Sequence, residues 1–373
     1  MADIPRSADA STGGPSVTYG RGRPAGSART AEFPGTGTSP APFGNGTDGD
    51  PDGDGAPGGG GALPQRRRFG METTFRLLSM AAGGMVLVII VAIAAFLIAR
   101  AIPALRADTE NFFTFQGWDP NAAEPKFGIG ALAFGTLLSS LLALVIAVPV
   151  ALGIALFLSH YAPRRLATPL GFLIDLLAAV PSVVFGLWGR DYFVQPVTDL
   201  SVWLNRYFGW LPIFGGEGPF GRSVLLGSLV LAIMVLPIVT SLSREVFRQT
   251  PTANEEAALA LGATRWEMIR TAVLPYGRPG VIGAVMLGLG RALGETIALA
   301  LTLSFAYNIS FNLIENGGNS IAANIAVKFG EAGDVGRGAL IASGLVLFSI
   351  TLVVNMTARA IIYRRREFTE TAA

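Results

Sequence analysis

VIGAVMLGLGRALGETIALALTL, residues 281 to 303, holds two charged side chains, Arg291 and Glu295, in a run otherwise built of aliphatic residues, Gly, Met and Thr. A helix needs about 20 mostly apolar residues to cross the hydrocarbon core of a bilayer, whereas a barrel strand needs only about 9–11. This run matches the helix. Lipid offers backbone groups no hydrogen-bond partner, so a long apolar segment must satisfy its own. Five more blocks of the same kind lie at Thr74–Ala101, Ile129–Ser159, Leu166–Gly189, Ser223–Ser243 and Gly338–Ile362. The sequence thus predicts an all-α membrane protein, a bundle of six spanning helices over residues 66–373.

Composition agrees. Of 373 residues, 51% are hydrophobic and 14% charged, too apolar and too sparsely charged for an average water-soluble domain. The chain has no cysteine, which excludes disulfides, thiolate metal sites and cysteine nucleophiles. His160 is the lone histidine and supplies neither a metal set nor a catalytic pair; it reads as an interfacial residue. A net charge of +2 gives no nucleic-acid footprint. Residues 1–65 are Gly, Pro, Ser, Thr, Ala and Asp rich, as in DGDPDGDGAPGGGGA. They cannot bury enough apolar surface to offset ordering entropy, so a disordered tail is expected there. It does not read as a cleavable signal, since the apolar stretch comes late and is long.

Basic residues near the spans set orientation. With the N-terminus inside, 15 arginines flank the inner ends, including Arg66, Arg67, Arg68, Arg164, Arg165, Arg244, Arg248 and Arg364, against 8 basic residues outside. Both termini are therefore expected on the cytoplasmic side. Trp118, Trp188, Trp203 and Trp210 fall on the outer side, where an aromatic belt forms. Leu200, Trp203, Leu204, Tyr207 and Phe208 repeat at helical spacing, as in a helix lying in the interface or packing on the bundle. GEGPFGRS, from Gly216 to Ser223, imitates a phosphate-binding loop, but Arg222 replaces the lysine and no strand precedes it; it reads as a turn entering a span. No other nucleotide loop exists, so the chain is not expected to bind ATP itself.

The loop between the fourth and fifth spans, about residues 244–279, is SREVFRQTPTANEEAALALGATRWEMIRTAVLPYGRPG from Ser243 to Gly280. Thr252 with Glu255, and Thr264 with Glu267, have the spacing of capping boxes. Gly262 stands where a first short helix needs left-handed backbone to end, and Pro275 is placed to stop the second. A helix, glycine, helix elbow results, offering Ala257, Ala258, Leu259 and Leu261 to a partner's groove. In the fifth span, Arg291 and Glu295 are four apart, share a helix face and can pair; an unpaired charge there costs about 2.5–3.5 kcal/mol. Gly290 and Gly294 leave a strip for close helix approach. A structural salt bridge and an anion way-station are both open readings. Pro149, Pro181 and Pro237 fall inside spans as candidate kinks, and Asp175 and Asn355 read as interhelical hydrogen-bonders.

The loop resembles the EAA motif of ABC-importer permeases: Glu256, Ala257, Ala258, Gly262, Leu274 and Pro275 match at the family spacing, with Ala272 where a larger aliphatic is usual. The resemblance implies a coupling helix that grips a separate ATPase subunit, with Glu255 beside it. GRALGETIAL, with LLAAVPSVVFGLWG and MVLPIVTSLSREVF, is similar to the PstC family of the bacterial high-affinity phosphate importer, from about residue 75 onward. Ile297 and Ala298 after Thr296 favour that family over the sister phosphate permease, which carries Ala-Pro there.

What this similarity implies is a permease subunit of the bacterial plasma membrane, not itself an enzyme and without a cofactor or metal of its own. Its partners would be a second phosphate permease forming the pore, an ATP-binding dimer on the cytoplasmic face, an extracytoplasmic phosphate-binding protein and lipid. Arg291, Glu295 and Thr296 would lie on the substrate pathway. A guanidinium fork suits phosphate oxygens, and the Glu295 carboxylate could accept a hydrogen bond from a protonated phosphate oxygen, which sulfate cannot donate. Alternatives are the sister permease, a sulfate or molybdate permease, and an ion-driven anion transporter, for which no mirrored second half is visible.

Overall fold

The structure, a computed structural model, describes the backbone of residues 69–370 and side chains between residues 73 and 360. The tail expected over residues 1–65 lies outside the described residues, as do Arg66, Arg67 and Arg68 and the side chain of Arg364. Twelve α-helices follow in chain order among the described residues: α1 Phe69–Ala107, α2 Gly130–Leu156, α3 Arg164–Ala178, α4 Ser182–Trp188, α5 Val194–Phe208, α6 Val224–Arg248, α7 Thr252–Ala260, α8 Arg265–Met268, α9 Leu274–Leu293, α10 Ile297–Thr302, α11 Ile321–Lys328 and α12 Asp334–Glu370. The only strands there, β1 Trp118–Asp119 and β2 Lys126–Phe127, pair antiparallel in the loop after α1.

Five helical stretches are long and apolar enough to span a membrane, and the pair Arg164–Ala178 and Ser182–Phe208, bent by 89°, makes a sixth if counted as one span. The all-α expectation holds, with two corrections to straightness. The third span does not run unbroken to Gly189. It bends at Ala179–Pro181, because Pro181 has no N–H to donate and pushes Val180 out of helical geometry. Pro149 and Pro237, by contrast, sit inside helices that continue through them. The fifth span does not run to Leu303. Its helix stops at Leu293 and restarts at Ile297.

The bundle is centred on α6, whose most apolar window is 72% buried, while that of α1 is 6% buried. α2 and α9 pack on α6, and α1 packs on α12. Small residues at helical spacing explain the closeness: Ala143, Ala147 and Ala151 of α2 meet Leu231, Val235 and Val239 of α6. Without a hydrophobic drive between helices in lipid, such small faces let van der Waals contact hold the pair. On α9 the close approach falls at Gly288, where a Cβ would meet Val235 at 2.8 Å and Val239 at 2.9 Å. Among the described residues of this chain no helix packs on the strip expected from Gly290 and Gly294: no atom lies within 4 Å of a Cβ at Gly290, and Gly294 caps the end of α9. Asp175 does bond between helices, accepting from Arg244 Nη2 at 3.2 Å. In α5 the buried face is Val197 and Ser201, with Leu204 partly covered, while Leu200, Trp203 and Tyr207 stay exposed.

Candidate functional site

Arg291 and Glu295 part company at the break in the fifth span. Gly294, with φ −91° and ψ 1°, ends α9, and two glycines within one turn make that interruption cheap. The chain turns through Glu295 and Thr296 before α10 begins. Glu295 is 7% exposed, and its Oε1 accepts from Ala298 N at 3.3 Å, a free amide at a helix start. Thr296 Oγ1 donates to the Gly294 carbonyl at 3.2 Å. The expected Arg291–Glu295 pair is therefore not formed, and Arg291 has no carboxylate partner among the described ion pairs. Its side chain faces an open groove of about 980 Å³ lined by Ile238 of α6, Gly283, Met286, Leu287, Gly290 and Arg291 of α9, and Leu352, Asn355, Met356 and Arg359 of α12. Asn355 makes no hydrogen bond among the described residues, contrary to the interhelical role expected of it.

The two broken spans meet. A Cβ on Gly186 of α4 would lie 2.9 Å from Ala298 Cα of α10, so only glycine permits that crossing. The far end of α10 is held by Arg222, whose Nη2 donates to the carbonyls of Ala300, at 3.2 Å, and Leu303. A cation at a helix C-terminus complements the unpaired carbonyls. GEGPFGRS is the turn before α6, and Ser223 caps that helix, its Oγ accepting from Leu226 N.

At the opposite end of the bundle lies the elbow. α7 is followed by Gly262 with φ +87°, the left-handed residue the sequence called for. Thr264 and Glu267 form the second capping box, with Glu267 N donating to Thr264 Oγ1 at 3.3 Å and Thr264 N to Glu267 Oε2 at 2.8 Å. The first box is absent. Pro251 occupies the cap position and Thr252 is already helical, so Glu255 turns elsewhere: its Oε1 lies 3.3 Å from His160 Nε2. His160 Nδ1 in turn lies 2.6 Å from Ser159 Oγ. The single histidine, in the π-helical turn Phe157–Tyr161 that follows α2, thus ties that end of the helix to α7, a contact between residues 95 apart that no local pattern reveals.

Pro275 does not stop the second helix either. A π-helical turn at Ile269–Val273 joins α8 to α9 in one continuous rod, with Pro275 near the start of α9. The wider turn accommodates the ring and its missing donor. Ala258 and Leu274 pack on Phe247, Met268, Ile269 and Val273. Glu256 and Ala257 are exposed, and Leu261 is 89% exposed, so the elbow is seated on one side and open on the other.

A polytopic bundle with an exposed elbow at one end and an unpaired arginine beside a broken span has the features of a membrane permease. Residues 147–367 match the model of the binding-protein-dependent transport system inner membrane component, and the chain belongs to that family. It is 49% identical over 295 residues to the phosphate transport system permease protein PstC 2 of Mycobacterium tuberculosis, covering 78% of this chain and 91% of that protein. Identity is 48% over 273 residues with PstC of Mycobacterium leprae, covering 72% and 86%. With PstC of Xylella fastidiosa it is 43% over 294 residues, covering 78% and 90%. The resemblance drawn from GRALGETIAL and its companion segments is borne out.

Proposed function

We propose that this chain is a permease subunit of an ATP-driven importer that carries inorganic phosphate across the bacterial plasma membrane. The observation that carries the reading is 49% identity to a phosphate transport permease along nearly the whole of that protein. The chemistry supports it. Arg291 is a planar, permanently charged donor set suited to phosphate oxygens, and it opens on a groove without a carboxylate competing for it. Arg291 is the pathway cation, with Glu295 and Thr296 at the helix break beside it. That break, packed on the bent third span, is a place where helices can shift without unsatisfied backbone, since irregular backbone within membranes is tolerated where it lines a cavity or is buried in protein. Pro149, Pro181 and Pro237 are the candidate flexing points.

The open side of the elbow, Glu256, Ala257, Gly262 and Leu261, docks a separate ATP-hydrolysing subunit, with Glu255, Ala258, Leu274 and Pro275 holding it to the bundle. ATP binds to that partner, and this chain contributes no catalytic residue. A second permease completes the pore, and an extracytoplasmic binding protein delivers phosphate from outside. Both termini, and the tail over residues 1–65, are cytoplasmic. Phosphate uptake in a host lacking its own importer tests the function, with sulfate and molybdate as competitors. Uptake resistant to both competitors supports phosphate transport; preferential uptake of either competitor, or no uptake with all subunits present, contradicts it.

A further inference from the structure

The groove beside Arg291 holds a second cation that the pathway reading does not use. Arg359 and Asn355 of α12 are four apart, so they share one helix face, and both line the groove that Arg291 enters. On α9 the lining residues run from Gly283 to Arg291, about 12 Å of axis at 1.5 Å per residue. On α12 they run from Leu352 to Arg359, about 10 Å. The two helices cross the bundle in opposite directions, so Arg291 marks the end of the groove nearer the membrane centre and Arg359 the end nearer the elbow. Asn355 lies one turn of α12 from Arg359, between the two levels.

The charge balance of this groove is unusual. Among the described residues its lining contains two arginines, one asparagine and no acidic residue, with aliphatic, glycine and methionine walls otherwise. Neither arginine has an ion-pair partner among the described residues, and Asn355 has no hydrogen bond. Both arginines are exposed on the groove, and two like charges facing it repel. An anion with several acceptor oxygens suits each end of the groove in turn: a guanidinium fork binds it bidentately, and at the Arg359 end the Asn355 amide adds a neutral donor.

We infer that Asn355 and Arg359 form a second oxyanion station, on the inner side of Arg291, for a phosphate-class group. The inference rests on the phosphate-importer reading and extends it: an anion held by Arg291 alone must be released, and a weaker site one step inward gives it somewhere to go. Free phosphate and a lipid phosphate headgroup offer the same chemistry, and the experiment separates them.

The native chain has no cysteine, so Met356→Cys, adjacent to both residues in the groove wall, reports on the site without removing a ligand. The assembled transporter, with cysteine-free partner subunits, is placed in phosphatidylcholine vesicles, and thiol labelling by a neutral reagent is timed with and without ATP. Inorganic phosphate is expected to slow labelling several-fold and sulfate less. Adding Arg359→Gln or Asn355→Leu should abolish that protection, while Arg359→Lys keeps part of it. No protection by phosphate in either nucleotide state overturns the inference. So does protection that survives Arg359→Gln but not Arg291→Gln. Slowing by added phosphatidylglycerol, with phosphate without effect, assigns the site to lipid and also overturns it. Uptake by Arg291→Gln is measured in parallel: retained uptake defeats the pathway reading itself, whereas lost uptake without protection defeats only the second station.

Discussion

Arg291 and Glu295 are four residues apart, yet one faces an open groove and the other is buried at the start of α10, accepting from Ala298 N at 3.3 Å. The break at Gly294 separates them. The carboxylate nearest in sequence to the cation is instead occupied with a helix end, which leaves the arginine's full charge available.

That arrangement changes what a charge exchange would do. On one continuous helix face, Arg291→Glu with Glu295→Arg would preserve a salt bridge. Here it places a guanidinium in the buried pocket against the free amides of α10, where positive charge is unfavourable. The double variant is expected to lose both complex yield in detergent and uptake, while Glu295→Gln, which keeps an acceptor oxygen, retains most of the yield. Size-exclusion yield and uptake check this together.

The elbow predicts a coupling defect. Gly262 has φ +87° with open space around it, so Gly262→Val meets no clash and is opposed by backbone strain, about 1–2 kcal/mol for a side chain in left-handed geometry. Glu256→Lys reverses an exposed charge. Both variants should insert normally and fail to co-purify with the ATPase subunit; retained association with full uptake would remove the coupling role.

The His160 contact predicts a different phenotype. A hydrogen bond to a charged group contributes about 1.5–3 kcal/mol, and this one joins the turn after α2 to α7. His160→Ala should leave the ATPase subunit bound but lower phosphate moved per ATP hydrolysed, with partial recovery in His160→Gln. Unchanged stoichiometry would show the contact to be incidental.

Close packing and orientation are separately testable. Gly288→Val should destabilise the chain by about 1–3 kcal/mol through overpacking against Val235 and Val239, whereas Gly290→Ala should leave thermal stability in detergent unchanged. For orientation, single cysteines at Glu217 and Leu261, both exposed, should react with an impermeant reagent from outside and inside respectively. Cells lacking the ATPase subunit keep the elbow uncovered. Ser201 would be a poor reporter, being fully buried.

The sequence announced the membrane bundle because six long apolar runs have few alternatives. It also announced Gly262 and the Thr264–Glu267 box, whose determinants are within a few residues. The breaks were harder to read. IALALTL continues the apolar run past Gly294, so hydropathy is blind to the interruption, and only the glycine pair and Thr296 hint at it. Pro181 marks its break, yet Pro149 and Pro237 carry the same signal inside helices that continue through them. Pro275 looked like a stop because the π turn before it has no local signature. Glu255 looked like a capping residue, and the partner that captured it, His160, is 95 positions away. Gly288 and Gly290 are indistinguishable by composition; which one α6 approaches is decided by tertiary packing.

The central claim is that Arg291 carries the transported anion. It is tested most directly by phosphate uptake into vesicles bearing the full transporter with Arg291→Gln, at wild-type levels of assembled complex. The account predicts that uptake is lost, and that Arg291→Lys restores little of it, since a point ammonium lacks the bidentate fork. Near-normal uptake by Arg291→Gln in intact complex would contradict it.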